Sequence, residues 1–168
     1  MIVLGVDPGV AITGYGVVAH EQGGATSLLE CGVVRTSPDA PLPVRLREIF
    51  DAIGEVVVRH RPDVAAVEGV FYGRNVRTTV VLGHARAAVL LAASLRDVPI
   101  AEYAPAEIKN AVAGTGRATK DQMQYMVQQL LRLRTPPRPA DAADGVAVAL
   151  CHLSAFRIPR LSELAPSR

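Results

Sequence analysis

The chain lacks several things, and each absence narrows its function. It has two cysteines, Cys31 and Cys151, both in apolar surroundings. That excludes a disulfide framework and reads as reduced core residues of a cytoplasmic protein. No Cys/His spacing suits zinc. There is no P-loop and no nucleophilic-triad signature. The N-terminal run MIVLGVDPGV carries no basic segment and meets Asp7 early, so it does not read as a signal peptide. Later apolar stretches are broken by His84, Arg86 and His152, so none reads as a membrane span. The net charge of +2 is too small to announce a nucleic-acid binder. Local clusters of charge have to carry that reading.

What is present is a globular composition, 49% hydrophobic and 20% charged over 168 residues. The expectation is one domain over residues 1–158 with a flexible tail at 159–168. IVLGVD is a short β-branched run ending at a strong Asp-Pro-Gly turn. TGYGVVAH and ATSLLECGVVR predict two more strands, and the three make an antiparallel meander. From Leu42 the apolar period becomes helical, with Leu46, Ile49, Ile53 and Val56 on one face. PDVAAVEG predicts a fourth strand and VPIAEYA a fifth, with a long helix from Val76 between them. Three further helices follow, the first opening at Pro105. The fold class is therefore α/β, a five-stranded mixed sheet of three antiparallel strands plus parallel strands, with helices on both faces. The helix from Val76 to about Leu95 is apolar on more than one side, which predicts two neighbours: the sheet and a second copy of the chain.

Four acids stand out. Asp7 ends the first strand and Glu68 the fourth, and sites in open α/β sheets lie beyond the carboxyl ends of strands. Asp141 and Asp144 are three apart, so about 60° apart around a helix, and they share a face. Singly, each has an ordinary reading: a turn acid, a strand-end acid, two start-of-helix acids. Together they form an all-oxygen cluster suited to Mg²⁺ or Mn²⁺. Paired ions roughly 3.5–4 Å apart organise phosphoryl transfer to water. A phosphodiester substrate follows, and it calls for basic and aromatic neighbours.

Those neighbours are present. GVFYGRNVR follows Glu68, placing Phe71 and Tyr72 beside Arg74, Asn75 and Arg77 in a polar loop. This reads as a stacking platform for an unpaired base, against a Phe71 folded into the core. Lys109, Arg117 and Lys120 form a second basic patch, against ordinary solvated cations. Arg132, Arg134 and Arg138 lead into the Asp141 helix. His84 and His152, on apolar helices, read as satisfied structural histidines.

GVDPGVAITGYGVV, VEGVFYGRN and PADAADGVAVA resemble the signature stretches of RuvC-type Holliday junction resolvases. The resemblance spans Ile2 to about His152. It implies a ribonuclease H-like fold, a homodimer, and Mg²⁺-dependent nicking of opposed strands in a four-way DNA junction. Two Mg²⁺ ions per active site are implied, with Mn²⁺ as a substitute. Position by position, Asp7, Glu68, Asp141 and Asp144 match the acidic metal-site residues. Phe71 matches a base-stacking aromatic, and Lys109 and Lys120 match basic residues near the scissile phosphate. The branch-migration motor RuvAB is implied as a partner. Three alternatives stay open at this point. They are a nuclease of the same fold acting on RNA or RNA–DNA, a non-catalytic junction-binding module, and an actin-like or sugar-kinase-like ATPase. The last needs a second domain for which this length leaves no room.

Overall fold

Alternation along the central strands decides which way the first two acids face. The computed structural model describes residues 1–21, 24–69 and 76–157, apart from the side chains of residues 77, 156 and 157. Its five strands form one sheet in the order β3-β2-β1-β4-β5. β1 (Ile2–Asp7) pairs antiparallel with β2 (Ile12–His20), and β2 pairs antiparallel with β3 (Thr26–Arg35). β4 (Val64–Glu68) lies parallel to β1, and β5 (Ile100–Tyr103) parallel to β4. The expected mixed sheet is thus present, and β1 sits at its centre, where β-branched residues with both faces covered are favoured.

Helices cover both faces. α1 (Leu42–His60) and α2 (Val76–Ser94) pack on one side; α3 (Pro105–Ala113), α4 (Lys120–Leu130) and α5 (Ala140–Arg157) pack on the other. Two cores result. Leu4, Val6, Val17 and Val67 join Ile49 and Ile53 of α1 and Val89 of α2. Val3, Val18, Val64 and Ala66 join Ile108, Val127, Val146 and Val148 from the other three helices. Each fully buried aliphatic side chain contributes about 1.5–3 kcal/mol of transfer free energy. Truncating one, Ile53→Ala for example, costs about 2–5 kcal/mol.

Successive strand residues point to opposite faces. Val3 faces α5, Leu4 and Val6 face α1, and so Asp7 returns to the α5 side. On β4 the same count holds: Val64 and Ala66 face α5, Val67 does not, and Glu68 does. Register completes the placement, because Val6 lies beside Val67 in the parallel pair. Asp7 and Glu68 therefore emerge side by side at one end of the sheet, on the face that α5 covers.

α5 lies unusually close to the sheet. A Cβ at Gly5 would fall on the Gly145 carbonyl oxygen, and one at Gly14 on the carbonyl oxygen of Asp141. Both glycines are required by that backbone approach. On the opposite face, α1 stops at Arg61, which is left-handed with φ 45° and donates its N–H to the Val57 carbonyl at 2.8 Å. Its last turn is tied to the sheet edge through Glu30 on β3. Glu30 accepts from the Tyr15 hydroxyl at 2.9 Å and lies 2.7 Å from His60 Nε2.

One of the two histidine expectations needs amending. His152 is buried, its Nδ1 2.8 Å from the Tyr103 hydroxyl, as a structural histidine should be. His84 is instead exposed on α2, because its helix turns Ala85, Val89 and Ala92 inward and leaves the adjacent position outward. On α2 the inner face is packed, while Val80 and Leu91 on the helix and Leu95 just beyond it are exposed. One of its two apolar faces is thus bare in the single chain. Among the described residues no helix is long and apolar enough to cross a membrane.

Candidate active site

Local rules place each acidic residue. β1 ends where Asp7-Pro8-Gly9 turns the chain, and the Thr13 hydroxyl pins that turn by donating to the Gly9 carbonyl at 2.8 Å. Asp7 stands opposite Gly14 in the hairpin register. Since the Gly14 backbone meets the Asp141 carbonyl, the head of α5 is carried directly to the end of β1. Asp141 lies in the first turn of α5 and Asp144 one turn further on the same face. Acids there complement the helix dipole.

The positive partner of the aspartate pair comes from another element. Lys120 Nζ lies 3.0 Å from Asp141 Oδ1 and 2.9 Å from Asp144 Oδ2. A capping box sets its position. The Thr119 side chain accepts from the Gln122 N–H at 3.3 Å, while Gln122 Oε1 accepts from the Thr119 N–H at 2.9 Å. Lys120 is therefore the first residue of α4, aimed at the first turns of α5. Hydrogen bonds that it donates to Asp144 and Asp141 hold its ammonium above the usual lysine range. No basic residue stands at helical spacing after the pair, where the chain has Gly145 and Val148, and the cation arrives through tertiary packing.

Asp7, Glu68, Asp144, Lys109 and Lys120 line one cleft of about 240 Å³, walled by Pro105, Ile108, Met123 and Ala147. Asp141 joins it through Lys120 rather than by lining it. Burial, then the neighbouring Asp144, push the Asp7 carboxyl up from 3.8 to about 6, with Lys120 pulling the other way. Burial, then Asp7 and Asp144, push Glu68 up from 4.5 to about 7, and Lys109 opposes them. Desolvation and like charge both disfavour ionisation, and the two lysines offset this only in part. The donor set is all carboxylate oxygen, which fits a hard divalent cation. As the side chains stand, no three His, Cys, Asp or Glu among the described residues are disposed to hold one ion. Lys120 already engages one oxygen of each aspartate.

The remaining predicted residues divide. Lys109 is in the cleft, on α3. Arg117 is exposed in the loop before α4, outside the cleft lining. Phe71, Tyr72, Arg74 and Asn75, and the side chain of Arg77, lie outside the described residues. The apolar walls Ile108 and Met123 went unread in the sequence, because both look like ordinary core positions of amphipathic helices.

This strand order, with carboxylates at the ends of β1 and β4 and at the head of a helix laid across the sheet, defines the ribonuclease H-like class of α/β proteins. The family described as "Crossover junction endodeoxyribonuclease RuvC" matches residues 3–152, and the chain belongs to that family. A crossover junction endodeoxyribonuclease RuvC from Pelotomaculum thermopropionicum is 47% identical over 152 residues, covering 90% of this chain and 92% of the relative. One from Halorhodospira halophila is 51% identical over 150 residues, covering 89% and 88%. Among solved structures, Thermus thermophilus RuvC in complex with Holliday junction substrate superposes with a TM-score of 0.87 at 40% identity, covering 94% of this chain and 95% of that one. Nucleases of this family need a divalent metal.

Proposed function

We propose that this protein resolves four-way DNA junctions by paired, symmetric hydrolytic nicks, with Asp7, Glu68, Asp141 and Asp144 as its metal-holding residues and Mg²⁺, two ions per site, as its metal. The observation that carries the reading is the convergence of acids from β1, β4 and α5 with lysines from α3 and α4 on one cleft. Family membership and the junction bound by the Thermus relative support the same substrate.

When bound, the ions supply Lewis-acid activation of water and charge stabilisation at the leaving oxygen, and Mn²⁺ can replace Mg²⁺ in this role. The chain's own residues do the rest. The four carboxylates hold the metal charge in the cleft. Lys109 and Lys120 bind the non-bridging oxygens of the scissile phosphate. Ile108 and Met123 exclude water behind it. Phe71 and Tyr72 stack on bases opened at the junction, and Arg74, Asn75, Arg77 and Arg117 neutralise flanking phosphates.

The bare outer face of α2 is the proposed homodimer contact. Two-fold symmetry then places two sites for two matched cuts. We assign the nuclease domain to residues 1–158, the compartment to the cytoplasm, and a branch-migration motor of the RuvAB kind as partner.

The test is to incubate the protein with a labelled four-way junction, a linear duplex and an RNA–DNA hybrid, with Mg²⁺ and then with EDTA. Symmetric nicks confined to the junction and abolished by EDTA are expected. Equal cutting of the hybrid would instead favour the RNA-directed reading, and binding without nicks the non-catalytic one.

A further inference from the structure

Lys120 breaks a local rule. It opens α4, where the helix dipole is positive and a cation is unfavourable. Violations of this sort concentrate at functional sites. The capping box that puts it there does not need a lysine, because Thr119 and Gln122 satisfy each other. The ammonium instead straddles the aspartate pair, 3.0 Å from Asp141 and 2.9 Å from Asp144. An ammonium has three donors; two are used here, which leaves one for another acceptor. Its side chain is 51% exposed, so the four-carbon stem is free to swing without disturbing the core. It also lines the cleft that Asp7 and Glu68 share.

We infer that Lys120 is a displaceable counter-ion: in the DNA-free protein its ammonium occupies the place between Asp141 and Asp144 that a divalent cation takes on loading, and an incoming phosphate draws it away. This rests on the metal-holding role proposed above for the four acids. Two consequences follow. Without DNA the lysine competes with metal for the same oxygens, so loading is weakened. When a phosphate offers the ammonium a new partner, the carboxylates are released, and metal and DNA each favour the other's binding. Such coupling is reciprocal by thermodynamic necessity. It restrains metal loading, and so hydrolytic competence, until a substrate phosphate is in place.

Lys109 provides the contrast. It lines the same cleft, yet makes no ion pair with the aspartates among the described residues. Removing it lowers the local positive charge without freeing the Asp141–Asp144 oxygens.

The experiment measures Mn²⁺ binding to the full chain by electron paramagnetic resonance of the free ion, with and without a four-way junction protected by phosphorothioates. The proteins are wild type, Lys120→Met, Lys120→Gln and Lys109→Met. Without DNA, both Lys120 variants should bind Mn²⁺ about ten-fold tighter than wild type, and Lys109→Met less than about three-fold tighter. With the junction bound, the gap between wild type and Lys120→Met should close to within about three-fold. Equal Mn²⁺ affinity in wild type and the Lys120 variants would overturn the inference, as would a gap that survives the junction. A lower melting temperature in Lys120→Met with no gain in Mn²⁺ affinity would make the residue a fixed bridge between α4 and α5. If none of the four proteins binds Mn²⁺ at millimolar concentration, the metal-holding role of the acids fails, and this inference with it.

Discussion

The acidic cluster consists of two pairs that share their chemistry and differ in how they are held. Asp7 and Glu68 sit at the ends of adjacent parallel strands, sunk into the sheet end, with their carboxyls pushed up to about 6 and about 7. Asp141 and Asp144 sit at the head of a helix, more open to water, with a lysine bridging them. The first pair is kept close by backbone hydrogen bonding that is indifferent to its charge. The second is held on one face of α5, with a cation between its carboxylates. The buried half therefore carries the cost of desolvation and of the charge on the neighbouring Asp144, while the aspartate pair has its own repulsion relieved by Lys120, and a divalent ion held as proposed would gain most from the buried half.

Substitutions break this comparison at one half or the other. The largest effect is expected from Glu68→Gln, in the unrelieved pair. Junction cleavage should fall by about three orders of magnitude, the scale on which transition-state charge stabilisation is lost. Metal-free stability should move the opposite way, with a raised melting temperature at about pH 8 and no change at about pH 4, because an amide has no ionisation to suppress. In the relieved pair, Asp144→Asn should also abolish cleavage, yet alter metal-free stability by only about 0–1 kcal/mol, as for an exposed ion pair. A Glu68→Gln protein that is less stable at both pH values would mean that the carboxylate is structural.

Next in size is Gly14→Ala, which tests whether the two halves are held together by backbone contact. The added Cβ would fall on the Asp141 carbonyl oxygen. Overpacking against backbone should cost about 3 kcal/mol and push the head of α5 away from β1. Both the denaturation midpoint and cleavage should drop. A folded, fully active Gly14→Ala protein would show that the approach is adjustable.

A pH dependence sharpens the contrast. The folded values of Asp7 and Glu68, about 6 and about 7, lie above their unfolded values of 3.8 and 4.5. Across that window the native state binds more protons than the unfolded state, so metal-free stability falls as pH rises. Metal binding should strengthen over the same window, because the ligands become ionised. Chemical denaturation at several pH values, with EDTA and then with saturating Mg²⁺, checks both signs. A metal-free midpoint that is flat or rising from pH 4.5 to pH 7 would contradict it.

Much of this was legible in the sequence, and the rest was hidden for physical reasons. The short apolar runs of IVLGVD and VAAVE, cut short by Asp-Pro-Gly and by Gly69, identified both strands and both strand-end acids. Pro105 and Gly114 bounded α3 as read. The bridging role of Lys120 was hidden because it depends on α4 docking against α5, a contact between helices that no sequence spacing encodes. The glycine contacts were hidden for a related reason: Gly5 and Gly14 look like strand weaknesses until a helix backbone is laid on them. His84 misled because a helix apolar nearly all round gives no clear inward direction for any one residue.

The order in which the chain supplies its parts has a consequence for biosynthesis. α5 is the last helix among the described residues, yet it contributes two of the four acids, one wall of the cleft and much of the core on its face of the sheet. A polypeptide still emerging from the ribosome, or cut before Ala140, holds Asp7 and Glu68 but has nothing to complete the cluster. The four-acid cluster is thus withheld until translation has passed α5, and a truncated product is born without it.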